Sequence, residues 1–392
     1  MTILNHEPSG TTATIPVVQP APGADRAPES VRTRIEKAKH AFSTRDVGAF
    51  LRRAETVDLI TGDHAPQAGE VVLARVTSIG QHKRLESPVS RRQILFVGDE
   101  IVVAYGSRYA ADQFLAELPA DLGPAHLAAA GGLASRVVDQ HAGISSATEI
   151  EPVGVLRDAH GPITLARAAA HSVVRGLASR PERPAHQVPV IAVLGTSMNS
   201  GKSTVLAELA HGLTAAGLRV AAAKTTGTGA GNDYNLFLDA GAERVLDFTD
   251  FGYSSTFQVE FDEVRDLFLS MADELAGGAG ARPDVVLLEI ADGVYQGETT
   301  RLLADEEFGR VVDRVVFSAG DALGAVGGVG ALGALGRAPA FVSGVVTSSP
   351  LATAEARRAL EVPVVPTFDL GRAEVARELV ADLLERTPAD AA

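Results

Sequence analysis

Apolar and polar positions divide the chain into two unlike halves. From Val188 onward, short continuous apolar runs alternate with segments of helical period. Val188 to Leu194, Arg219 to Ala223, Pro283 to Ile290, Val311 to Phe317, Ala340 to Thr347 and Val362 to Pro366 read as strands, the first of them buried and parallel. Between them, Thr204 to Leu213 repeats apolar residues at Leu206, Leu209, Ala210 and Leu213, the spacing of one helix face. Leu351 to Leu360 and Ala373 to Leu384 read as helices, and the Gly/Ala-rich run after Phe317 as a helix packed close to a sheet. Alternating strands and helices predict an α/β domain with a mostly parallel sheet flanked by helices.

The first half has a different pattern. Val31 to Ala54 reads as one or two short helices, broken near Ser43-Thr44. Val57 to Ile60, Val71 to Ile79, Gln93 to Val97 and Ile101 to Tyr105 read as strands separated by turns such as Gly62-Asp63 and Gly98-Asp99. Two of them, Val71 to Ile79 and the Ile94 to Tyr105 stretch, suit antiparallel neighbours in a small sheet or barrel. Ala110 to Leu118, Ala134 to His141 and Ile163 to Leu177 have helical spacing, and Leu127 to Gly132 reads as a strand entering a glycine turn. The expected organisation is a disordered tail at 1–30, a smaller α/β or β-rich domain at 31–178, a linker at 179–187 containing Pro181 and Pro184, and the α/β domain at 188–392.

Candidate chemistry centres on Gly195 to Thr204. A strand, a glycine loop, Gly201-Lys202-Ser203 and a helix form the context of a phosphate-binding loop. Phosphate is multiply charged, so its loop must present many backbone N–H donors at close range, and the helix dipole adds partial positive charge. The expected nucleotide-binding residues are Gly195, Thr196, Asn199, Ser200, Gly201, Lys202, Ser203 and Thr204. Gly195 and Gly201 are separated by five residues rather than four, so the loop is one residue longer than usual. Lys202 would set an ammonium against the β- and γ-phosphates. Ser203 would give a hydroxyl to Mg²⁺, which prefers hard oxygen ligands.

Three further positions fall near strand ends, where ligands of open parallel sheets sit. Lys224 ends the second strand and is suited to neutralise charge on a transferred phosphoryl group or a carboxylate. Asp233 opens the next segment, where it either caps a helix or offers a carboxylate to Mg²⁺. Glu289 ends the apolar strand PDVVLLEI in the manner of a Walker B element, with Asp292 just beyond. Asp247 and Asp250 read as turn residues.

Net charge and composition narrow the classes. A chain of net charge −14 is not expected to bind nucleic acid, whose phosphates select basic faces. Its one basic cluster, His82, Lys83, Arg84, Arg91 and Arg92, reads first as a solvated hairpin tip and second as a holder of an acidic substrate or a phosphate. Cysteine is absent, which removes disulfides, thiolate metal sites and cysteine nucleophiles. The ten His show no ligand spacing. No secretory signal or membrane-spanning run is visible, so the expectation is a cytoplasmic protein without a membrane partner; a homo-oligomer is compatible with all of this.

Together the motifs resemble the dethiobiotin synthetase-like branch of P-loop NTPases. Gly195-Thr196 followed by Gly201-Lys202-Ser203, Lys224 with Thr228-Gly229, Asp233 opening a helix and Glu289 before Ala291-Asp292-Gly293 carry the resemblance. It covers the last half of the chain. The two-domain layout is also similar to the family that includes N-acetyl-D-glutamate kinase. The chain departs from the branch at Ser197, Met198 and Asn199, where an acidic residue is usual, and at Thr347 and Ser348, where an Asn reads the base. The resemblance implies ATP- and Mg²⁺-dependent phosphorylation of a carboxylate or carbamate on a small acidic metabolite, by a kinase or an acyl-phosphate-forming ligase. Lys202 and Lys224 would be catalytic, and Ser203, Asp233 and Glu289 would hold Mg²⁺. The other class considered is a nucleotide-dependent switch or adaptor, GTPase or ATPase, that assists cofactor assembly.

Overall fold

The computed structural model describes residues 29–179, 188–277 and 281–385. The expected tail, apart from its last two residues, and all of the expected linker but Ser179 lie outside them.

The second half is an α/β domain with a parallel sheet flanked by helices. Its six-stranded sheet runs Arg244–Asp247, Val220–Lys224, Val285–Glu289, Val190–Gly195, Arg314–Ser318 and Phe341–Ser343 across its width, all pairings parallel. Strands buried on both faces need no alternation, and Val190–Gly195 is buried throughout. Val190, Ala192 and Leu194 face a layer with Phe268, Leu302 and Phe317, whereas Ile191 and Val193 face Leu206, Leu209 and Phe237. The register sets Lys224 opposite Glu289, and Glu289 opposite Val193. Two strand ends bearing charge are thereby brought beside the loop that follows Gly195.

The first half is β-rich. Glu100–Tyr105 pairs with Val71–Ser78, which pairs with Thr148–Asp158, then Ala125–Ala129, then Leu133–Gln140, which returns to Glu100–Tyr105. These pairings close a ring of five strands. Both faces are covered: Val72, Ala74 and Val76 pack with Ile101, Val103, Leu127 and Ile150, and Val71 and Leu73 pack with Ile35, Val47 and Leu51. That is the period of two expected of a strand. The helices Val31–Lys37 and Val47–Arg53 supply the outer layer, with a short 3₁₀ turn at Phe42–Thr44 between them.

Several expectations fail for identifiable reasons. Ala110 to Leu118 is a turn and a strand, Phe114–Glu117, because Phe114 and Ala116 alternate inward. Ala134 to His141 is the strand Leu133–Gln140; a bulge between Val137 and Asp139 breaks its alternation and mimics helical spacing. Ile163 to Leu177 holds one helical turn, Leu165–Ala168. Beyond it the backbone is captured by another helix: Val174 N–H donates to Ser270, and Gly176 and Leu177 N–H to Asp266. Val362 to Pro366 makes a single bridge, Val342 with Val364, and Ala373 to Leu384 splits into Ala373–Glu378 and Ala381–Leu384. The 11-residue strand Thr148–Asp158, the edge strand Arg244–Asp247 and the helix Phe261–Gly277 have no counterpart in the sequence reading. No helix among the described residues is long and apolar enough to cross a membrane.

Candidate functional site

The loop between Gly195 and Lys202 is shaped by backbone constraints. Gly201 is left-handed (φ 100°) and starts the helix Lys202–Ala215. A Cβ on Gly195 would meet Ser200 Oγ at 2.4 Å and Lys202 Cγ at 2.8 Å, so the lysine stem can fold back over the loop only because Gly195 has no side chain. Asn199 is also left-handed (φ 59°), a region that Asn tolerates. Its amide donates to Asp112 of the first half. Behind the loop, the Ser200 carbonyl accepts from Ser318 Oγ at 2.7 Å and from Val345 N–H at 3.0 Å, and Thr196 N–H donates to Ser318 O. Gly195, Thr196 and Ser200 belong to this buttress, whereas Asn199, Gly201, Lys202, Ser203 and Thr204 line an open cleft.

Lys202 is buried, and Nζ donates to the carbonyls of Ser197 (2.8 Å) and Asp292 (3.0 Å). Burial lowers its pKa, with Glu289 and Asp292 opposing that fall. Asp292 adopts φ 62°, unusual for Asp and a form of strain that gathers at functional sites. Burial also raises the Asp292 carboxyl above its ordinary range, against the pull of Lys202.

Lys224, Asp233 and Glu289 converge beside the loop. Lys224 Nζ donates to Asp233 and lies 4.0 Å from Glu289 Oε1. Burial alone would discharge this lysine; the two carboxylates more than reverse that, so its pKa rises. Burial and the neighbouring Asp233 raise the Glu289 carboxyl, while Lys224 holds Asp233 below the usual range against its own burial. The neighbouring Ser203 hydroxyl pulls both carboxyls toward lower pKa. Glu289 Oε2 is buried and has no partner. Two carboxylates and a hydroxyl, one oxygen orphaned, make a hard-oxygen donor set that fits Mg²⁺. Among the described residues no cluster of three or more His, Cys, Asp or Glu side chains is suited to a metal. Asp233 stands in the first turn of the helix Gly231–Asp239, whose cap residue is Ala230, so capping does not account for it.

The cleft has a volume of about 1060 Å³ and two unlike walls. One is the P-loop side just described. The other comes from the first half: His82, Lys83, Arg84, Glu86, Arg92 and Arg108. The basic hairpin Arg84–Glu86 with Arg92–Ile94 therefore borders the cleft rather than standing apart as a solvated tip; Arg91 does not line it. Glu86, Arg108 and Asp112 carry no signal in the sequence, and His82 stands out there only as a member of the basic cluster. They share no motif, and the segment leading from Arg108 was read as the start of a helix.

A seam joins the two halves around this cleft. Glu86 accepts the Gly231 N–H at 3.0 Å, two residues before Asp233. Arg45 ion-pairs with Asp250, lies 3.6 Å from Asp247 and stacks on Phe42. Asp247 and Asp250 also close a capping box on a 3₁₀ turn, which agrees with their reading as turn residues. Ser254 Oγ donates to Tyr105 O at 2.9 Å, and Asn235 to Ser90 at 2.7 Å. Gly131 meets Gly229 backbone to backbone: a Cβ on Gly131 would lie 1.9 Å from the Gly229 carbonyl.

No family model matches the chain, and no curated protein matches it. Among solved structures, it is similar to the signal recognition particle receptor FtsY from Elizabethkingia anophelis in complex with GDP (14% identity, 57% of this chain and 70% of that one, TM-score 0.33). It is similar to hydrogenase maturation factor HypB from Archaeoglobus fulgidus (13%, 50% and 91%, TM-score 0.33). A third is the signal recognition particle 54 kDa protein from Aeropyrum pernix K1 in complex with GDP (19%, 54% and 48%, TM-score 0.32). Likeness at this level fixes neither the nucleotide nor the activity.

Proposed function

We propose that the chain transfers the γ-phosphoryl group of a nucleoside triphosphate, ATP in our reading, to a carboxylate or carbamate of a small acidic metabolite held in the cleft. The observation that carries this is the cleft itself: a phosphate-binding loop faces, across a space larger than a nucleotide alone needs, a wall of cationic side chains. The loop amides and Lys202 bind the β- and γ-phosphates. Ser203, Asp233 and Glu289 hold Mg²⁺, which supplies charge neutralisation for the phosphates. Lys224, freed from Asp233, turns toward the transferred group and stabilises its charge. A carboxylate oxygen forms the new bond to γ-phosphorus; the bond from γ-phosphorus to the bridging oxygen breaks, and its electron pair leaves with the nucleoside diphosphate. A carboxylate is already ionised, so no base is required. The acyl phosphate is released by a kinase or captured by an amine in a ligase, in line with the resemblance to the dethiobiotin synthetase-like branch.

The seam favours a second reading, a nucleotide-dependent switch or adaptor. The segment after Val220–Lys224 borders the cleft and bonds to the first half through Gly231, and the segment after Arg244–Asp247 packs on it (Gly229 N–H to Ser254 O, 3.0 Å) and bonds to the first half through Asp250 and Ser254. A change of nucleotide state there would be felt by the other domain. Turnover of Mg·ATP and Mg·GTP by the full chain against a panel of small carboxylates separates the two. Acid-stimulated turnover that disappears in Lys202→Ala supports transfer. Turnover indifferent to every acid, with GTP preferred, supports the switch.

A further inference from the structure

Arg108 is 6% exposed and lines the cleft. Its Nη1 donates to the Ala128 carbonyl and its Nη2 to Gln113 Oε1 at 3.0 Å. Its Nε is buried without a partner. Among the described residues it makes no ion pair; Asp112 and Asp292 act on it only through space. A guanidinium carries five N–H donors, so this one keeps unspent capacity, the Nε–H included. The adjacent His82, its Nε2 3.4 Å from Nη1, adds no charge: burial and Arg108 push its pKa down to about 4. The Arg108 pKa falls to about 10, chiefly through burial.

A buried charge without a counter-ion costs several kcal/mol, and such groups collect at functional sites. Asp112 and Asp292 supply part of the counter-charge through space, and a ligand anion in the cleft can supply the rest. Lys83 and Arg84 extend the same positive surface toward solvent. Asp112, whose Oδ2 accepts the Asn199 amide, ties the segment after Arg108 to the phosphate-binding loop. A ligand on Arg108 is therefore held beside the nucleotide's phosphates.

We propose that Arg108 is the anchor for an oxyanion of the acceptor, a carboxylate gripped by the guanidinium fork, with His82 packed beside it. This rests on the transfer reading above. A carboxylate of the acceptor and the γ-phosphate share the chemistry that would recognise Arg108, and the test separates them.

The full chain with Mg·ADP is titrated with glutarate, malonate and inorganic phosphate, following the melting temperature. Mg·ATP turnover is then measured against the acid that responds. In Arg108→Met the melting-temperature rise should vanish and the KM for the acid should rise at least thirtyfold, with Mg·ADP affinity within twofold of the parent. Should Arg108→Met fail to fold, Arg108→Lys keeps the charge and loses the fork, and its acid KM should still rise about tenfold. An unchanged acid KM in either variant overturns the proposal, and so does a tenfold loss of Mg·ATP affinity with the acid KM intact. If the parent's turnover ignores every acid, the transfer reading fails on its own. Acid protection lost in Arg108→Met would then still support the anchor, and protection retained would overturn it.

Discussion

The two walls of the cleft handle charge in opposite ways. On the P-loop wall the buried cations have partners: Lys202 rests on two carbonyls, and Lys224 sits between Asp233 and Glu289. On the facing wall Arg108 is buried without an ion pair among the described residues. In the proposed transfer the first wall exchanges its internal partners for phosphate and a metal, and the second offers Arg108 to an anion of the acceptor.

The largest expected effect breaks the first wall. Lys202→Ala should reduce nucleotide turnover roughly a thousandfold, because it removes a cation aimed at developing phosphate charge, while the melting temperature moves little. A steady-state assay with a melting curve on the same sample checks both halves of that statement.

The next test concerns the seam. Arg45→Met leaves Asp247 and Asp250 buried without their cation, and breaking such a pair costs about 3 kcal/mol. Urea denaturation should show that loss. A variant as stable as the parent would mean that the remaining seam contacts, Glu86 with Gly231, Asn235 with Ser90, Ser254 with Tyr105 and the glycine pair, suffice.

The third prediction sharpens the contrast through pH. The His82 pKa is about 4 when folded and near 6.5 when unfolded. Below pH 6.5 the unfolded chain takes up a proton that the folded chain refuses. Stability therefore falls as pH drops from about 6.5 to 4, by up to about 3 kcal/mol, and this contribution is flat below that range. His82→Gln should flatten the decline, which chemical denaturation across pH 4 to 7 would reveal. The smallest effect belongs to the rim. Lys83→Met and Arg84→Met should each raise the KM for the acid about threefold, a difference that disappears at high salt because exposed charges are screened.

How much could be read from the sequence follows the same division. The P-loop wall was legible because its residues fall at strand ends within fixed spacings: Gly195, Lys202, Ser203, Lys224, Asp233 and Glu289 all lie where the alternation of strands and helices puts them. The facing wall was not. Arg108 and His82 meet because a five-stranded ring closes, and ring closure depends on pairings such as Leu133 with Ala104 that leave no local trace. The strand Thr148–Asp158, central to that ring, contains Pro152 and Gly154 and so has the composition of a loop. Leu133–Gln140 hid behind its bulge. The basic hairpin was visible as charge, but its direction was not, because exposure and lining a cleft look alike in one dimension.

One contact limits the gap between the walls. Where Gly131 meets Gly229, main chain rests on main chain with no room for a Cβ. At this point the spacing between the jaws is limited by backbone, whereas elsewhere along the seam side chains such as Glu86, Arg45 and Asn235 bridge it. Residues lining the jaws away from those bridges can be exchanged to change what is gripped, and this limit stays the same. A single methyl at Gly131 acts the other way: it works as a wedge and pries the jaws apart while every charged group in the cleft is left in place.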